Sequence, residues 1–157
     1  MDAAPGGAGV SAGLQVRPLQ PGDRAGWEAL ARGYKAFYRT EHDDGTYERS
    51  WQRLLAGEAV FGLAALQDGR LVGIAHALLH TSVWTGPACY LQDLFVAPEA
   101  RGRGAARALI EAVAQHARAG GASRCYWLTH RDNAVARALY DRLAEHRGMI
   151  RYDYPLA

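Results

Sequence analysis

The feature that most constrains the fold lies past the middle of the chain. An apolar, strand-like run, Ala88–Val96, feeds a turn from Pro98 to Gly104, and Ala105–Ala119 then shows helical spacing. Leu109, Ile110 and Val113 share one side of that helix, with Arg107, Glu111, Gln115 and Arg118 on the other, and Gly120-Gly121 stops it. A second strand-like run follows over residues 125–129. Strand, helix and strand in that order predict a βαβ unit, whose two strands lie parallel.

The first half supplies a meander. Residues 14–19 alternate apolar and polar and end between Pro18 and Pro21, as a short edge strand does. Trp27, Leu30, Ala31, Tyr34 and Phe37 recur at helical intervals behind Asp23, a candidate cap. A polar patch over residues 40–45 interrupts them, and Trp51, Leu54 and Leu55 support a second helix ending at Gly57. Residues 59–66 and 71–79 are apolar runs separated by Gln67-Asp68-Gly69-Arg70, a strong hairpin signal. Past the βαβ unit, Val135, Leu139 and Leu143 line a helix over residues 134–145 capped by Asn133, and residues 149–155 read as a last strand. The order is β-α-α-β-β-β-α-β-α-β. It predicts an α/β (α+β) fold in which about four helices flank a mixed sheet of about six strands.

Composition narrows the function classes. Residues 1–13 are rich in Ala, Gly and Pro and read as a flexible leader; residues 14–157 read as one domain. With 157 residues, 49% of them hydrophobic, such a chain builds its core without metals or disulfides. A formal charge of +2 gives no ground for a nucleic-acid or membrane partner. No stretch reaches the ~18 apolar residues of a membrane span. Cys89 and Cys125 each open an apolar run and read as reduced, buried thiols of a cytoplasmic protein. The six histidines and two cysteines show no metal-ligand spacing, so no metal is expected.

The turn carries the chemistry. Glycines in a strand-to-helix turn let backbone N–H groups approach an anion, and the helix N-terminus adds partial positive charge. Arg101, Arg103 and Arg107 add full charges suited to phosphates. A P-loop would need Gly-Lys-Ser/Thr, which is missing. A dinucleotide fingerprint would want Gly or Ala where Arg107 stands and an acid near residues 121–124, and has neither.

What fits is Arg101-Gly102-Arg103-Gly104-Ala105-Ala106, preceded by Leu91-Gln92-Asp93-Leu94-Phe95-Val96 and followed by Asn133-Ala134-Val135-Ala136-Arg137-Ala138-Leu139-Tyr140. These segments resemble the Arg/Gln-x-x-Gly-x-Gly/Ala signature, fourth strand and Asn-x-x-Ala-x-x-x-Tyr motif of the GNAT N-acetyltransferases. Within that family the ending resembles the branch with D-amino-acid and polyamine or histone-type enzymes. The resemblance implies the GNAT fold, with a mostly antiparallel twisted sheet, and acetyl-CoA as cosubstrate. Arg101, Gly102, Arg103, Gly104, Ala105 and Ala106 would bind its pyrophosphate; Leu94, Phe95, Val96 and Asn133 would hold the pantetheine arm. Tyr140 would lie against the cofactor and act as general acid, protonating the departing thiolate; a phenol with a pKa near 10 stays protonated at neutral pH. The acceptor would be the primary amine of a small molecule such as an amino acid or polyamine, attacking directly in a ternary complex. A protein lysine or N-terminus, or an idle CoA-binding module, are the alternatives. The resemblance also implies a homodimer through the C-terminal strand.

The base stays open. Gln92 stands where relatives often carry a glutamate, and it takes no proton. Asp93, His76, His80, His130 and a water chain are the candidates. The patch Glu41-His42-Asp43-Asp44 would either attract a cationic amine or form a solvated loop, and Tyr38, Trp84 and Tyr90 would line the acceptor pocket or pack.

Overall fold

A computed structural model of the chain describes residues 13–156, so all but one residue of the expected leader lies outside the described residues. Contacts gather the chain into two compact units, Met1–Trp127 and Leu128–Ala157. In the first, β1 (Leu14–Pro18), β2 (Phe61–Gln67), β3 (Arg70–His80), β4 (Ala88–Val96) and β5 (Arg124–Tyr126) form one sheet in the order β1-β2-β3-β4-β5. The first four run antiparallel, and β5 lies parallel to β4. The helices of this unit are α1 (Arg24–Phe37), α2 (Asp44–Ala56) and α3 (Ala105–Ala119).

Local chemistry sets the boundaries. Between β2 and β3 both Asp68 (φ 51°) and Gly69 (φ 80°) take left-handed backbone, the geometry of a type I′ hairpin whose twist matches its strands. Asp43 caps α2 by accepting from the Thr46 N–H at 2.7 Å, and Gly57 (φ 65°) ends it. Asp23 sits at the cap position of α1, yet its carboxylate is taken by Arg17 at 2.7 Å and by the Gln20 N–H at 2.8 Å.

Register decides which helices share a face. Gly62 and His76 are cross-strand partners and so point the same way. A Cβ on Gly62 would meet Leu19 and Leu54, and His76 accepts from Trp27; α1 and α2 therefore cover this face. Phe61, one residue along, stacks on His116 of α3 at 4.0 Å, so α3 covers the other. The core between the layers holds Trp27, Ile74, Leu109 and Val113, all at most 1% exposed. Cys89 and Cys125 face each other across β4 and β5 as free thiols, the first buried and the second half-buried.

Two irregularities position the site. The β3–β4 register pairs His76 with Asp93 but Ala77 with Leu91, leaving Gln92 as the extra residue of a bulge. The β4–β5 ladder holds only three pairs, the last being Tyr90 with Tyr126, although β4 continues to Val96.

In the second unit, α4 (Ala134–Leu143) begins at Asn133, whose side chain accepts from the Ala136 N–H. The expected sixth strand is corrected here: residues 149–155 form neither helix nor strand, and the sheet has five strands among the described residues. A strand exists only through its ladder. Ile150, Tyr152, Tyr154 and Leu156 do alternate as in a strand, but they stay 66–95% exposed. No helix among the described residues is long and apolar enough to cross a membrane.

Leu109 of α3 is fully buried beneath the sheet beside Gly73. Leu109→Ala is expected to cost about 2–5 kcal/mol of unfolding free energy through the cavity it leaves, read by urea denaturation; a loss well under 1 kcal/mol would mean that α3 does not seal this face.

Candidate functional site

The site is built where β4 ends. Ala97 donates to Val72, a short 3₁₀ turn (Pro98–Ala100) reverses the chain, and residues 101–104 lead into α3. Gly102 (φ 76°) and Gly104 (φ 88°) take left-handed backbone, and a Cβ on either would meet nothing within 4 Å. Their conformation, not crowding, calls for glycine there, and the space above the turn is open. Gly104 starts α3 without any side-chain cap, so the first amides of the helix rely on water or a ligand. Arg101 folds back so that its Nε donates to the Val96 carbonyl at 3.1 Å, with its guanidinium 5.6 Å from the Phe95 ring. Arg103 is exposed beside it, whereas Arg107 is engaged by Glu111 at 2.8 Å.

The edge of β4 that would face β5 is the second element. Beyond Tyr90 no strand lies beside it among the described residues, so residues 91–96 carry backbone groups that a ligand can pair with. Leu94, Phe95, Val96 and residues 101–106 thus form one continuous edge and turn. A cavity of about 620 Å³ lies on the α1 side of this corner, floored by Gly33, Leu71 and Phe95 and reaching Arg101. Asn133 and Tyr140 belong to the other unit. There Asn133 caps α4 and its amide donates to Thr129 at 3.2 Å; Tyr140 is half-buried on α4.

A chain of half-buried polar groups runs beneath β4. Trp27 donates its indole N–H to His76 Nε2 at 2.9 Å, and His76 Nδ1 lies 2.9 Å from Asp93. An indole is only a donor, so Nε2 has no proton and Nδ1–H donates to the carboxylate. Burial by itself would raise the Asp93 pKa, but the hydrogen bonds from His76 and Tyr34 and the nearby Lys35 charge outweigh it and hold the carboxyl below its ordinary value. Burial, together with the Asp93 charge, pushes Tyr34 far up, and Tyr38 moves the same way. His76 has no lone pair to spare for an incoming proton, and an Asp held this firmly ionised is a poor general base. Gln92 is exposed in its bulge and His130 lies in the other unit.

The remaining candidates divide. Asp43 caps α2 and Asp44 accepts from Arg32 at 2.6 Å, so two of the three acids in the 41–44 patch have structural work. Tyr38 packs on Tyr34 and Phe37, Trp84 stands 92% exposed on the loop after β3, and Tyr90 stacks on Tyr126. The parted ladder and the Trp27–His76 bond were invisible in the sequence: one is a matter of strand length, and the other joins residues 49 positions apart. No group of three or more His, Cys, Asp or Glu that could hold a metal gathers among the described residues.

Residues 27–144 match the model of the acetyltransferase (GNAT) family. The chain is 29% identical over 143 residues to the D-amino-acid N-acetyltransferase HPA3 of Saccharomyces cerevisiae, covering 88% of this chain and 89% of that one. It is 30% identical over 108 residues to an aminoglycoside N(6')-acetyltransferase type 1 of Stenotrophomonas maltophilia, covering 66% and 67%. Its fold superposes with a TM-score of 0.81 on the aminoglycoside acetyltransferase AAC(6')-Iy bound to a bisubstrate analog, at 21% identity over 92% of this chain and 99% of that one.

Because the Asp93 pKa is lowered in the fold, its contribution to stability is present above the unfolded value, near pH 4, and disappears as pH falls through the folded one. The stability gap between the wild type and Asp93→Asn is therefore expected to be widest at neutral pH and to shrink below about pH 4 in urea titrations. A gap independent of pH would show that the charge of Asp93 contributes nothing.

Proposed function

We propose, for a chain that belongs to the acetyltransferase (GNAT) family and is an acetyl-CoA-dependent N-acetyltransferase, that the acetyl acceptor is the primary amine of a small molecule. The observation that carries the reading is the unladdered edge of β4 running straight into the glycine turn. An edge of that kind offers alternating N–H and C=O groups to an extended amide-bearing arm. The turn and the open end of α3 offer amides and arginines to a pyrophosphate. In this reading Leu94, Phe95 and Val96 hold the pantetheine arm, and residues 101–106 hold the pyrophosphate. Asn133 steadies the arm, and Tyr140 donates its proton to the departing thiolate. Residues 14–157 act as one catalytic domain; the family match, which spans both compact units, supports this.

The small-molecule acceptor draws support from the named activities of the relatives, a D-amino-acid and an aminoglycoside acetyltransferase. The reaction is direct. The neutral amine attacks the thioester carbonyl, the C–N bond forms, the C–S bond breaks, the thiolate leaves with a proton from Tyr140, and the proton shed by the new amide nitrogen restores the Tyr140 hydroxyl. Two free cysteines suit a reducing, cytoplasmic setting.

A thiol-release assay with acetyl-CoA against D- and L-amino acids, polyamines, aminoglycosides and a lysine peptide tests the assignment. Turnover is expected with one class of small amine. Tyr140→Phe is expected to lower kcat at least about tenfold with little change in the KM for acetyl-CoA. Gly104→Ala, which forces a side chain into left-handed backbone at a cost of about 1–2 kcal/mol, is expected to raise that KM and leave kcat near wild type. Turnover on the peptide alone would replace the small-molecule acceptor with a protein one, and an unchanged kcat in Tyr140→Phe would remove it as the acid.

A homodimer completes the reading. The alternating, exposed Ile150, Tyr152, Tyr154 and Leu156 form a strand pattern that a second copy would complete. Sedimentation of the full chain is expected to give a dimer that dissociates in Tyr152→Asp/Tyr154→Asp; a wild-type monomer at micromolar concentration would reject the interface.

A further inference from the structure

The reaction needs somewhere for the ammonium proton of the acceptor to go, and the groups beneath β4 do not provide it. His80, the last residue of β3, has a different environment from His76. Its Nδ1 lies 3.0 Å from the Thr81 carbonyl, which only accepts, so Nδ1 carries the proton. Its Nε2 is left with a lone pair and lies 3.0 Å from the Tyr126 hydroxyl. His76 Nε2 is closed by an indole that can neither accept nor relay a proton; His80 Nε2 faces a hydroxyl that does both. The two rings meet edge to face at 5.8 Å, and the other face of the arrangement is set by Tyr90, stacked on Tyr126 at 5.2 Å.

The place matters as much as the chemistry. Tyr126 is the last residue of β5, and its register partner Tyr90 is the last residue of β4 that pairs with β5. The unladdered edge begins at the next residue. An arm that entered from the glycine turn and lay along residues 96 to 91 would end at this closed corner, with its terminal thioester beside the Tyr90–Tyr126 pair. Tyr126 is 36% exposed and His80 is half-buried, so the corner opens to an acceptor.

We propose that His80 and Tyr126 form the proton-accepting dyad for the acceptor amine, with Tyr126 touching the amine and His80 receiving the proton through it. The inference rests on the N-acetyltransferase reading of the same site. The ammonium passes one proton to the Tyr126 oxygen as the Tyr126 proton moves to His80 Nε2, which leaves a neutral amine and an imidazolium. The amine then forms its bond to the acetyl carbon and the C–S bond breaks. The attacking nitrogen, on becoming an amide, gives its remaining extra proton to the Tyr140 oxygen, which replaces the one Tyr140 gave to the thiolate, and His80 returns its own to water. The charged and titratable groups facing the dyad are Tyr90 from β4 and Arg124 from β5, whose guanidinium lies 5.7 Å from the Tyr126 ring. Beyond Tyr90, Tyr34 of α1 feels its charge.

The test compares kcat/KM for a primary alkyl amine and for a hydrazide, which is already neutral at neutral pH, in the wild type, His80→Gln and Tyr126→Phe. Thiol release is followed from about pH 6 to about pH 9. Both variants are expected to lose at least about tenfold on the alkyl amine at neutral pH and to recover as pH approaches the amine's own pKa, with the hydrazide rate unchanged. Tyr126→Phe keeps the stack on Tyr90 and removes only the hydroxyl, so it separates proton transfer from packing. An equal loss on both acceptors at every pH, or no loss at all, overturns the dyad while the enzyme assignment stands. Absence of wild-type turnover with every amine overturns the acetyltransferase reading and the dyad with it.

Discussion

Everything at the site depends on how briefly β5 pairs with β4. Three register pairs hold the parallel strands together, and then β4 runs on for six residues with β3 as its one neighbour. A strand edge with no neighbour carries backbone donors and acceptors that need partners, which is normally a liability. Here the edge leads into a turn whose two left-handed glycines and uncapped helix end ask for an anion. In the proposed reading, the same interruption that weakens the sheet opens a slot suited to a long, amide-bearing, phosphorylated ligand. α3 and the α1–α2 layer hold the two faces of the sheet, so the slot opens without loss of the core.

Around that slot, polar groups of similar chemistry are separated by what binds them. Asp93 and His76 look like a base and its partner when read as residue types. The Trp27 indole closes His76, and His76 with Tyr34 holds Asp93 ionised, so the chain fixes α1 against the bulge of β4. Such a network stabilises only because every member is satisfied. His80 and Tyr126 lie at the rim of the sheet, where the Thr81 carbonyl sets the tautomer and the hydroxyl leaves a route for a proton. Two histidines four residues apart on one strand thus have opposite capacities, and the difference lies wholly in the partner of Nε2.

Much of the fold was legible in the chain. β4 and α3 occur over the residues that apolar runs and helical spacing delimit, because one strand is buried on the α3 face and the helix has one apolar stripe. The β2–β3 turn follows from Asp68-Gly69, whose backbone preference is local. The last strand was misjudged because alternation of apolar residues signals the capacity to pair and not the presence of a partner. Asp23 was legible as a helix start but not as the ion-pair partner of Arg17, since that contact depends on how β1 meets α1. The glycine turn was readable because its requirement is conformational and lies in six consecutive residues.

The sequence by itself determined the element order from β1 to α4, the glycine turn and the family, all of which are encoded in neighbouring residues through periodicity, backbone preference and motif spacing. Tertiary structure alone decided where β5 stops pairing, that Gln92 bulges, and which nitrogen of which histidine is closed. Those outcomes join residues as far apart as Trp27 and His76 or His80 and Tyr126. Hydrogen-bond capacity is written in the side chain, but whether that capacity is spent depends on which group the fold brings within 3 Å of it.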